Sequence, residues 1–322
     1  MLKRLLIPIL GSALLLSACG TTNDASSDSS DSSTTAETAG TTVQTALGPV
    51  AVPTEINSVV ILEGRRDLDI ALALDLPVVG YPYEEAGSLE LDSPLKEQLE
   101  QAKAIGAEEI FSADNISLEA IAAADPDLII SRRSDIEPIE EQLEAIAPVL
   151  PIGEQDTSTW QEDLHLVAQA TGTEARAEEL IAEYDSRVQA ISSEYADTLA
   201  NYTFAPLSFN GDTFETRPNR LLSSVLQDLG ATPSQAFADA INGESTEYSP
   251  EQLLSGFSDA AGLVMLVNDP QTWQELQENQ LYQQLPAVMN QHVVRSDKQT
   301  HEGGPLTALH ALDVIEELLQ TF

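Results

Sequence analysis

The chain has 322 residues and a formal net charge of −39, from 53 acidic and 14 basic residues. This charge excludes nucleic acid and anionic lipid as partners of the protein surface, because both are polyanions. Apolar residues make up 42% of the chain and aromatic residues only 5%, which predicts a globular body with a largely aliphatic core. The length is sufficient for two domains of ordinary size.

Residues 1–18 have the three-part layout of a secretory signal peptide. Lys3 and Arg4 carry the positive charge, residues 5–16 are apolar, and small residues precede Cys19. The apolar run is shorter than the roughly 20 residues that span a bilayer, and Cys19 has no second cysteine to pair with. The segment resembles a bacterial lipoprotein signal, which implies lipidation of Cys19 after cleavage. An ordinary cleavable signal and a membrane anchor are the alternatives.

Residues 19–46 are predicted to form a flexible tether. They are mostly Ser, Thr, Asp, Ala and Gly, so no apolar face can offset the entropy cost of ordering them. Together with a lipid on Cys19, such a tether predicts a protein held in the cell envelope, at the outer face of the cytoplasmic membrane.

From residue 47 to residue 172, short apolar strands alternate with helices. Strands are predicted at 58–62, 78–80, 128–130 and 149–152, and helices at 67–74, 95–105, 117–124, 137–147 and 160–171. Buried, β-branched strands that alternate with helices are typical of a parallel sheet covered by helices. This region is therefore predicted to be an N-terminal α/β lobe.

Residues 173–199 contain neither glycine nor proline, and their apolar residues recur at helical spacing from Ala177 to Tyr195. We expect one helix of about 37 Å, which is too long to cross a single small lobe and would instead join two lobes. The alternative is a plain amphipathic core helix.

The alternation resumes in residues 200–322. Strands are predicted at 203–209, 262–267 and 293–295, and helices at 221–229, 251–254, 273–284 and from Pro305 onward. The fold class is therefore α/β, with two Rossmann-like lobes, parallel-rich sheets and a single long linker helix.

The two lobes repeat one short pattern. Ser117 and Glu119 precede the predicted strand at 128–130, and Ser249 and Glu251 precede the strand at 262–267. A serine at the helix cap and a glutamate in the first turn both stabilise a helix start. Helix stability explains each copy, but it does not explain why both lobes carry the pattern in matching places.

The order and spacing of these segments resemble the substrate-binding lipoproteins of iron-siderophore and cobalamin ABC importers. The resemblance covers residues 47–320 and rests on residues 59–62, 72–74, 77–80, 117–119, 126–130, 146–148, 225–230, 285–288 and 303–306. It implies a monomer without catalytic activity or cofactor that captures an anionic ferric siderophore between its lobes. It also implies delivery of this chelate to the permease dimer of an ABC importer.

Within this resemblance, arginines become candidate ligand-binding residues, because open α/β sheets bind ligands at the carboxyl ends of their strands. The candidates at strand ends or in the following loops are Arg65, Arg66, Arg132, Arg133 and Arg217. A guanidinium group pairs with carboxylate, catecholate or hydroxamate oxygens and keeps its charge. The alternative is local ion pairing with acids such as Asp67, Asp69 and Asp135.

Two further ligand candidates are Tyr83 and His301. Tyr83 and the neighbouring Tyr81 follow a predicted strand, where a phenol ring could stack on a flat chelate or pack on the surface. His301 precedes the Gly-Gly-Pro segment at a place where related chains often carry an aromatic residue, which leaves the ligand's identity open. A histidine there could donate to a ligand oxygen, coordinate a metal or be a surface residue without a role in binding.

Glu119 and Glu251 resemble the pair of glutamates with which this family docks on its permease, one glutamate on each lobe. The alternative role of both residues is stabilisation of the helix dipole.

Other functions remain open at this point. Haem or a corrinoid is the alternative cargo, and a lipid-anchored enzyme or interaction module could reuse the same fold. No Gly-x-Ser-x-Gly elbow of a hydrolase occurs in the chain. The chain has 4 histidines, and two of them, His165 and His310, fall in predicted helices, which argues against a direct metal site.

Overall fold

The computed structural model describes residues 40–83, 94–154, 156–244, 246–296 and 300–322, which belong to one compact unit. The predicted signal peptide, Cys19 and the tether up to residue 39 lie outside the described residues. Within these ranges, the longest apolar helices fall short of what a bilayer crossing requires.

The described chain begins with an antiparallel hairpin of β1 (Thr41–Thr45) and β2 (Gly48–Val52). Val43 and Val52 are buried against the core, so the hairpin belongs to the folded body. The predicted tether, which ends at residue 46, therefore extends past the start of the folded body at Thr41. Each strand of the hairpin has a single buried valine. One apolar residue per strand is too weak a pattern to predict a strand within a polar segment.

The first lobe contains a five-stranded parallel sheet in the order β5-β4-β3-β6-β7. The strands are β3 (Val59–Ile61), β4 (Val78–Tyr83), β5 (Glu108–Ser112), β6 (Leu128–Arg132) and β7 (Val149–Ile152). The helices are α1 (Arg66–Ala73), α2 (Lys96–Ile105), α3 (Leu118–Ala123), α4 (Arg133–Ile136), α5 (Glu140–Glu144) and α6 (Trp160–Thr171). The predicted helix at 137–147 is interrupted by a 3-10 turn at Glu137–Ile139, because Pro138 has no backbone N–H to continue the helical ladder.

The strand order of this sheet reverses between its central strands β3 and β6. The chain moves from β3 outward to β4 and β5, and then returns to place β6 on the other side of β3. The loops that leave the carboxyl ends of β3 and β6 consequently diverge and open a crevice, which is where open α/β sheets bind their ligands.

The predicted linker is observed as α7 (Glu174–Glu194), about 32 Å long, followed by α8 (Ala196–Asn201). The prediction of one helix over 173–199 is wrong at its end. Tyr195 leaves helical geometry at φ −104° and ψ 21° and packs, partly buried, against the core. Tertiary packing ends the helix there, in a stretch without glycine or proline.

Tyr184 in the middle of α7 contacts both lobes. Its ring packs edge-on against Trp160 of α6, with ring centroids 5.2 Å apart. Its hydroxyl donates a hydrogen bond of 2.6 Å to Asp228, at the end of the second lobe's first helix. The long helix therefore joins the lobes through packed contacts as well as through the chain.

The second lobe has a six-stranded sheet in the order β11-β9-β8-β12-β13, with β10 also paired to β8. The strands are β8 (Thr203–Phe209), β9 (Phe214–Glu215), β10 (Thr232–Pro233), β11 (Glu247–Tyr248), β12 (Gly262–Leu266) and β13 (Val293–Ser296). The helices are α9 (Leu221–Asp228), α10 (Gln235–Ile241), α11 (Leu253–Phe257), α12 (Pro270–Glu278), α13 (Pro286–Met289) and α14 (Pro305–Leu319). The predicted helix at 273–284 starts earlier, at Pro270, because Asp269 caps it, and it ends at Glu278.

Helix α14 follows the second lobe's sheet, but the first lobe holds its first turn. Asp69 of α1 is fully buried and accepts hydrogen bonds from the backbone N–H groups of Gly304, Leu306 and Thr307 at 2.9, 3.1 and 2.9 Å. A Cβ on Gly304 would lie 3.0 Å from both Asp69 Oδ1 and Ile70 Cγ1, so only glycine fits without displacement. The Gly-Gly-Pro segment at residues 303–305 is thus a point of contact between the two lobes.

Candidate functional site

The crevice between the lobes contains five ionisable side chains that contact one another. We call Glu63, Arg65, Arg132, Asp135 and Glu302 the cleft ion cluster. Arg65 follows β3 and Arg132 ends β6, so the strand-order reversal places the two guanidinium groups side by side. Glu63 Oε1 lies 3.3 Å from Arg65 Nε and 3.5 Å from Arg132 Nη2, so one carboxyl group bridges both arginines.

Glu302 brings the second lobe into this cluster. Its Oε2 lies 3.4 Å from Arg132 Nη1 and 3.8 Å from Arg65 Nη1. Asp135 adds a third acid, with Oδ2 at 3.2 Å from Arg132 Nε. The two first-lobe arginines are therefore surrounded by carboxyl groups from both lobes.

Burial changes the protonation of this cluster. Desolvation raises the pKa of Glu63 to about 8, and the negative charges of Asp67 and Glu302 act in the same direction, against Arg132 and Arg65. Burial alone would lower the pKa of Arg132, but Glu63, Glu302 and Asp135 raise it above its usual value. Burial thus favours the neutral form of Glu63, and the surrounding carboxyl groups favour the charged form of Arg132.

The second lobe adds two more arginines. Arg217 Nε lies 2.8 Å from Glu215 Oε2 at the end of β9. Arg220 follows three residues later, directly before α9. Burial and the charge of Arg217 lower the pKa of Arg220, and the charge of Glu302 raises it. The charge of Glu302 therefore acts on arginines of both lobes: on Arg65 and Arg132 by contact, and on Arg220 through its effect on the pKa.

Two adjoining cavities lie on the second-lobe side, and Ser208, Glu215, Leu266 and His301 line both of them. The smaller cavity also touches Arg217 and Arg220 and holds about 30 Å³, which is room for one water molecule. The larger holds about 320 Å³ and is also lined by residues between Phe209 and Thr213 and between Asn268 and Thr272. That volume is typical of small-molecule sites.

The predicted ligand residues separate into two groups. The structure brings Arg65 and Arg132 together, and it places Arg217 and His301 on the facing lobe. Arg66 is different: it is buried, its Nη1 lies 2.7 Å from Asp163 Oδ2, and it also donates to Ser158. This pair fixes α1 to the start of α6, so the Nη1 group of Arg66 is engaged away from the cleft ion cluster.

Arg133 and the tyrosines also lie apart from the cluster. Arg133 opens α4 and pairs with Glu137 on the next turn, with 3.1 Å between Nε and Oε1. Tyr83 ends β4 with 44% of its surface exposed, whereas Tyr81 is buried beside Lys103 and Glu109. Tyr83 therefore remains a candidate by its place at a strand end, without a described contact to the cluster.

Sequence reasoning missed Glu63, Glu302 and Arg220 as members of the site. In a chain with 53 acidic residues, no single acid stands out, and burial is what distinguishes Glu63 and Glu302. Arg220 had a usable signal, because it follows Arg217 by three residues, directly after the predicted loop and before the predicted helix at 221–229. Across the described ranges, no three His, Cys, Asp or Glu side chains are placed to hold a metal ion.

The two candidate docking glutamates have matching surroundings. Ser117 caps α3 by accepting from the N–H of Ala120, and Glu119 is exposed in the first turn. Ser249 forms a reciprocal capping box with Gln252, and its hydroxyl donates to Glu251 at 2.7 Å, which lowers the pKa of Glu251. Glu119 follows the carboxyl end of β5 and Glu251 follows that of β11, so each lies on the edge of its lobe that borders the crevice.

The sequence and the fold both have known counterparts. The family model described as "Periplasmic binding protein" matches residues 108–300. The probable siderophore-binding lipoprotein YfiY of Bacillus subtilis is 29% identical over 230 residues, which cover 70% of this chain and 66% of YfiY. The ferric enterobactin-binding periplasmic protein FepB of Escherichia coli is 27% identical over 260 residues, which cover 77% and 81% of the two chains.

Solved structures agree with these relatives. The siderophore periplasmic binding protein from the fuscachelin gene cluster of Thermobifida fusca is 28% identical, with a TM-score of 0.66 over 84% of this chain and 99% of that chain. Staphylococcus aureus SirA complexed with staphyloferrin B has a TM-score of 0.70 over 87% and 98% of the chains, at 22% identity, and shows the fold alone. The predicted two-lobe α/β fold is confirmed.

Proposed function

Because the chain belongs to the periplasmic binding protein family, we propose that it captures a ferric siderophore between its lobes and delivers it to an ABC permease. The observation that carries the proposal is the convergence of arginines from both lobes. Arg65 and Arg132 on one side and Arg217 on the other flank a crevice beside a cavity of ligand size. The names of YfiY, FepB and the Thermobifida protein support this cargo class.

The chemistry of the crevice fits a chelate with oxygen donors. Guanidinium groups donate paired hydrogen bonds to carboxylate or catecholate oxygens, and they remain charged when partly buried. His301 lines both second-lobe cavities and is placed to donate to a ligand oxygen there. The iron is held by the siderophore in this proposal, so the protein supplies no metal ligand and performs no catalysis.

Removing one cleft arginine from each lobe tests the proposal. We expect Arg132→Gln and Arg217→Gln each to weaken binding of a ferric tricatecholate by about tenfold or more, because each removes a charged hydrogen-bond donor. Quenching of Trp160 and Trp273 fluorescence in the purified full-length chain measures the affinity. Haem and cobalamin serve as competing probes for the alternative cargoes.

The matched control is Arg187→Gln, which breaks the ion pairs with Asp313 and Glu316 between α7 and α14, outside the crevice. Its affinity should equal that of the unmodified chain. Unchanged affinity in both cleft variants, or saturable binding of haem or cobalamin but not of the ferric chelate, would contradict the proposal.

Delivery requires a surface that the permease recognises. We propose that Glu119 and Glu251 form this surface, because each is an exposed acid on the crevice-side edge of its lobe. One glutamate per lobe suits a dimeric permease that offers one basic site per subunit. The protein acts as a monomer, held at the outer face of the cytoplasmic membrane by a lipid on Cys19, and this tether raises its local concentration near the permease.

A further inference from the structure

Glu302 is a second-lobe residue whose carboxylate occupies the first lobe's arginines. Its surface is 4% exposed, and it contacts Nη1 of both Arg65 and Arg132. These guanidinium groups are the ones that the proposed function assigns to the siderophore. A chelate oxygen that uses the same N–H donors has to compete with Glu302.

The backbone next to Glu302 is fixed, so the carboxylate cannot withdraw far. Two residues later, the N–H of Gly304 is held by Asp69 at 2.9 Å, and Gly304 has no room for a Cβ. Gly303 is equally confined, because a Cβ there would lie 2.4 Å from Thr307 Cβ. The Glu302 side chain can rotate away from the arginines, but its charge stays in the crevice when the ligand arrives.

Glu302 is also distinct from the neighbouring acids of the crevice. Glu63 contacts Arg65 and Arg132 from within the first lobe, and burial raises its pKa and so favours its neutral form. Asp135 and Glu215 each pair with an arginine close to them in sequence, within one lobe. Glu302 is the described carboxylate that contacts the arginines of the first lobe from the second lobe.

We propose, resting on the proposed function, that Glu302 is a specificity-determining residue that limits the negative charge of the chelate this protein accepts. Three doubly charged catecholates leave Fe³⁺ as a trianion, whereas three singly charged hydroxamates give a neutral complex. In a partly buried crevice a fixed carboxylate repels a trianion strongly and leaves a neutral complex nearly unaffected. Glu302 therefore shifts the preference toward chelates of low charge.

Glu302→Gln tests this inference, because glutamine keeps the shape of the side chain and removes its charge. We expect the variant to bind a ferric tricatecholate about tenfold more tightly than the unmodified chain, and to bind a neutral ferric trihydroxamate within about twofold of it. Fluorescence titration of the full-length chain with each probe gives the ratio of the two affinities. Glu302→Met, also uncharged and of similar size, should shift the ratio in the same direction.

The matched control is Glu179→Gln, which removes one negative charge from an exposed ion pair with Arg176 on α7. It should leave both affinities unchanged. An unchanged ratio in both Glu302 variants, or an equal loss of both affinities, would overturn the inference and make Glu302 a residue that positions the arginines. Failure of the unmodified chain to bind either chelate would instead overturn the proposed function.

Discussion

Glu63 shows how a single side chain in the crevice is set by its surroundings. It sits in a buried loop after β3, where Asp67 and Glu302 add negative charge around it and two arginines reach it from the side. The resulting pKa of about 8 means that the fold stabilises the neutral form of this carboxyl group. Its ionisation therefore works against the folded state.

This pKa predicts a specific dependence of stability on pH. Between pH 4.5, the ordinary value for glutamate, and pH 8, folded Glu63 keeps a proton that the unfolded chain has lost. The free energy of unfolding should fall as the pH rises through this window, because the folded state binds more protons. Relative to Glu63→Gln, we expect the unmodified chain to lose on the order of 2 kcal/mol between pH 5 and pH 8.

Urea unfolding at pH 5, 6.5 and 8 measures this difference. Glu179→Gln serves as the control, since its exposed carboxylate should give a pH profile parallel to that of the unmodified chain. Parallel profiles for Glu63→Gln and the unmodified chain would show that Glu63 is ionised in the folded state.

The sequence supports prediction of the arginines in the crevice but not of their partners. Arg65, Arg132 and Arg217 follow strands, and the position of strand ends can be read from the apolar pattern. The roles of Glu63 and Glu302 depend on burial between two lobes that are far apart in sequence. The sequence also does not show which arginine of a pair faces the crevice. Arg66 is adjacent to Arg65, but its side chain is buried and pairs with Asp163.

At the level of elements, the first turn of α14 depends on a carboxylate from another lobe. Asp69 on α1 accepts three backbone hydrogen bonds from α14 and its preceding residue, and a fourth from the Thr307 hydroxyl. An exposed N-cap stabilises one helix end, whereas this buried cap also fixes the packing of α14 against α1. Its loss should cost more than the loss of an ordinary cap.

Asp69→Asn should lower the free energy of unfolding by about 2 kcal/mol or more, because the amide NH₂ would face backbone donors in a buried site. Asp269→Asn is the matched control. Asp269 caps α12 at the surface through a 2.7 Å bond from the N–H of Thr272, and asparagine caps as well as aspartate, so we expect a change of about 0.5 kcal/mol or less. Equal losses in the two variants, measured by urea unfolding, would contradict the special role of Asp69.

Elements whose apolar pattern extends over many residues were predictable, and those defined by tertiary contacts were not. Trp160–Thr171 and Thr203–Phe209 match the predicted bounds. A capping threonine marks the start of the helix, and the Asn-Gly-Asp segment after Phe209 marks the end of the strand. Strands of two residues such as Phe214–Glu215 exist only because a neighbouring strand pairs with them. The break of the long helix at Tyr195 likewise follows from packing and has no local signal.

For the whole molecule, the two lobes are connected at several points besides the chain. Tyr184 contacts Trp160 of the first lobe and Asp228 of the second, and Asp69 of α1 accepts hydrogen bonds from the start of α14. We expect such contacts to keep the spacing between Glu119 and Glu251 nearly constant. A constant spacing would suit the proposed docking of both glutamates on one permease.

Glu119→Ala combined with Glu251→Ala should reduce uptake of ⁵⁵Fe-labelled chelate by cells by about tenfold or more and leave its affinity for the protein unchanged. Both side chains are exposed, and in the proposed function they contact the permease and not the chelate. Glu174→Ala with Glu183→Ala removes two exposed acids from α7 and should leave uptake normal. Loss of chelate affinity in the docking variant would assign the glutamates to the fold or to the crevice.

The return of α14 to the first lobe has a consequence for the order of events on the ribosome. Helix α14 follows every other described element in the chain, yet α1 packs against it, and Asp69 accepts hydrogen bonds from Gly304 and from the first turn of α14. All strands of the first lobe's sheet are synthesised well before α14. The N–H groups that donate to Asp69 belong to residues 304–307, so they become available only after these residues leave the ribosome. We therefore expect the Asp69 carboxyl group to stay hydrated, without these hydrogen-bond donors, in a nascent chain that lacks α14, and the packing of α1 against α14 to form only after α14 is made.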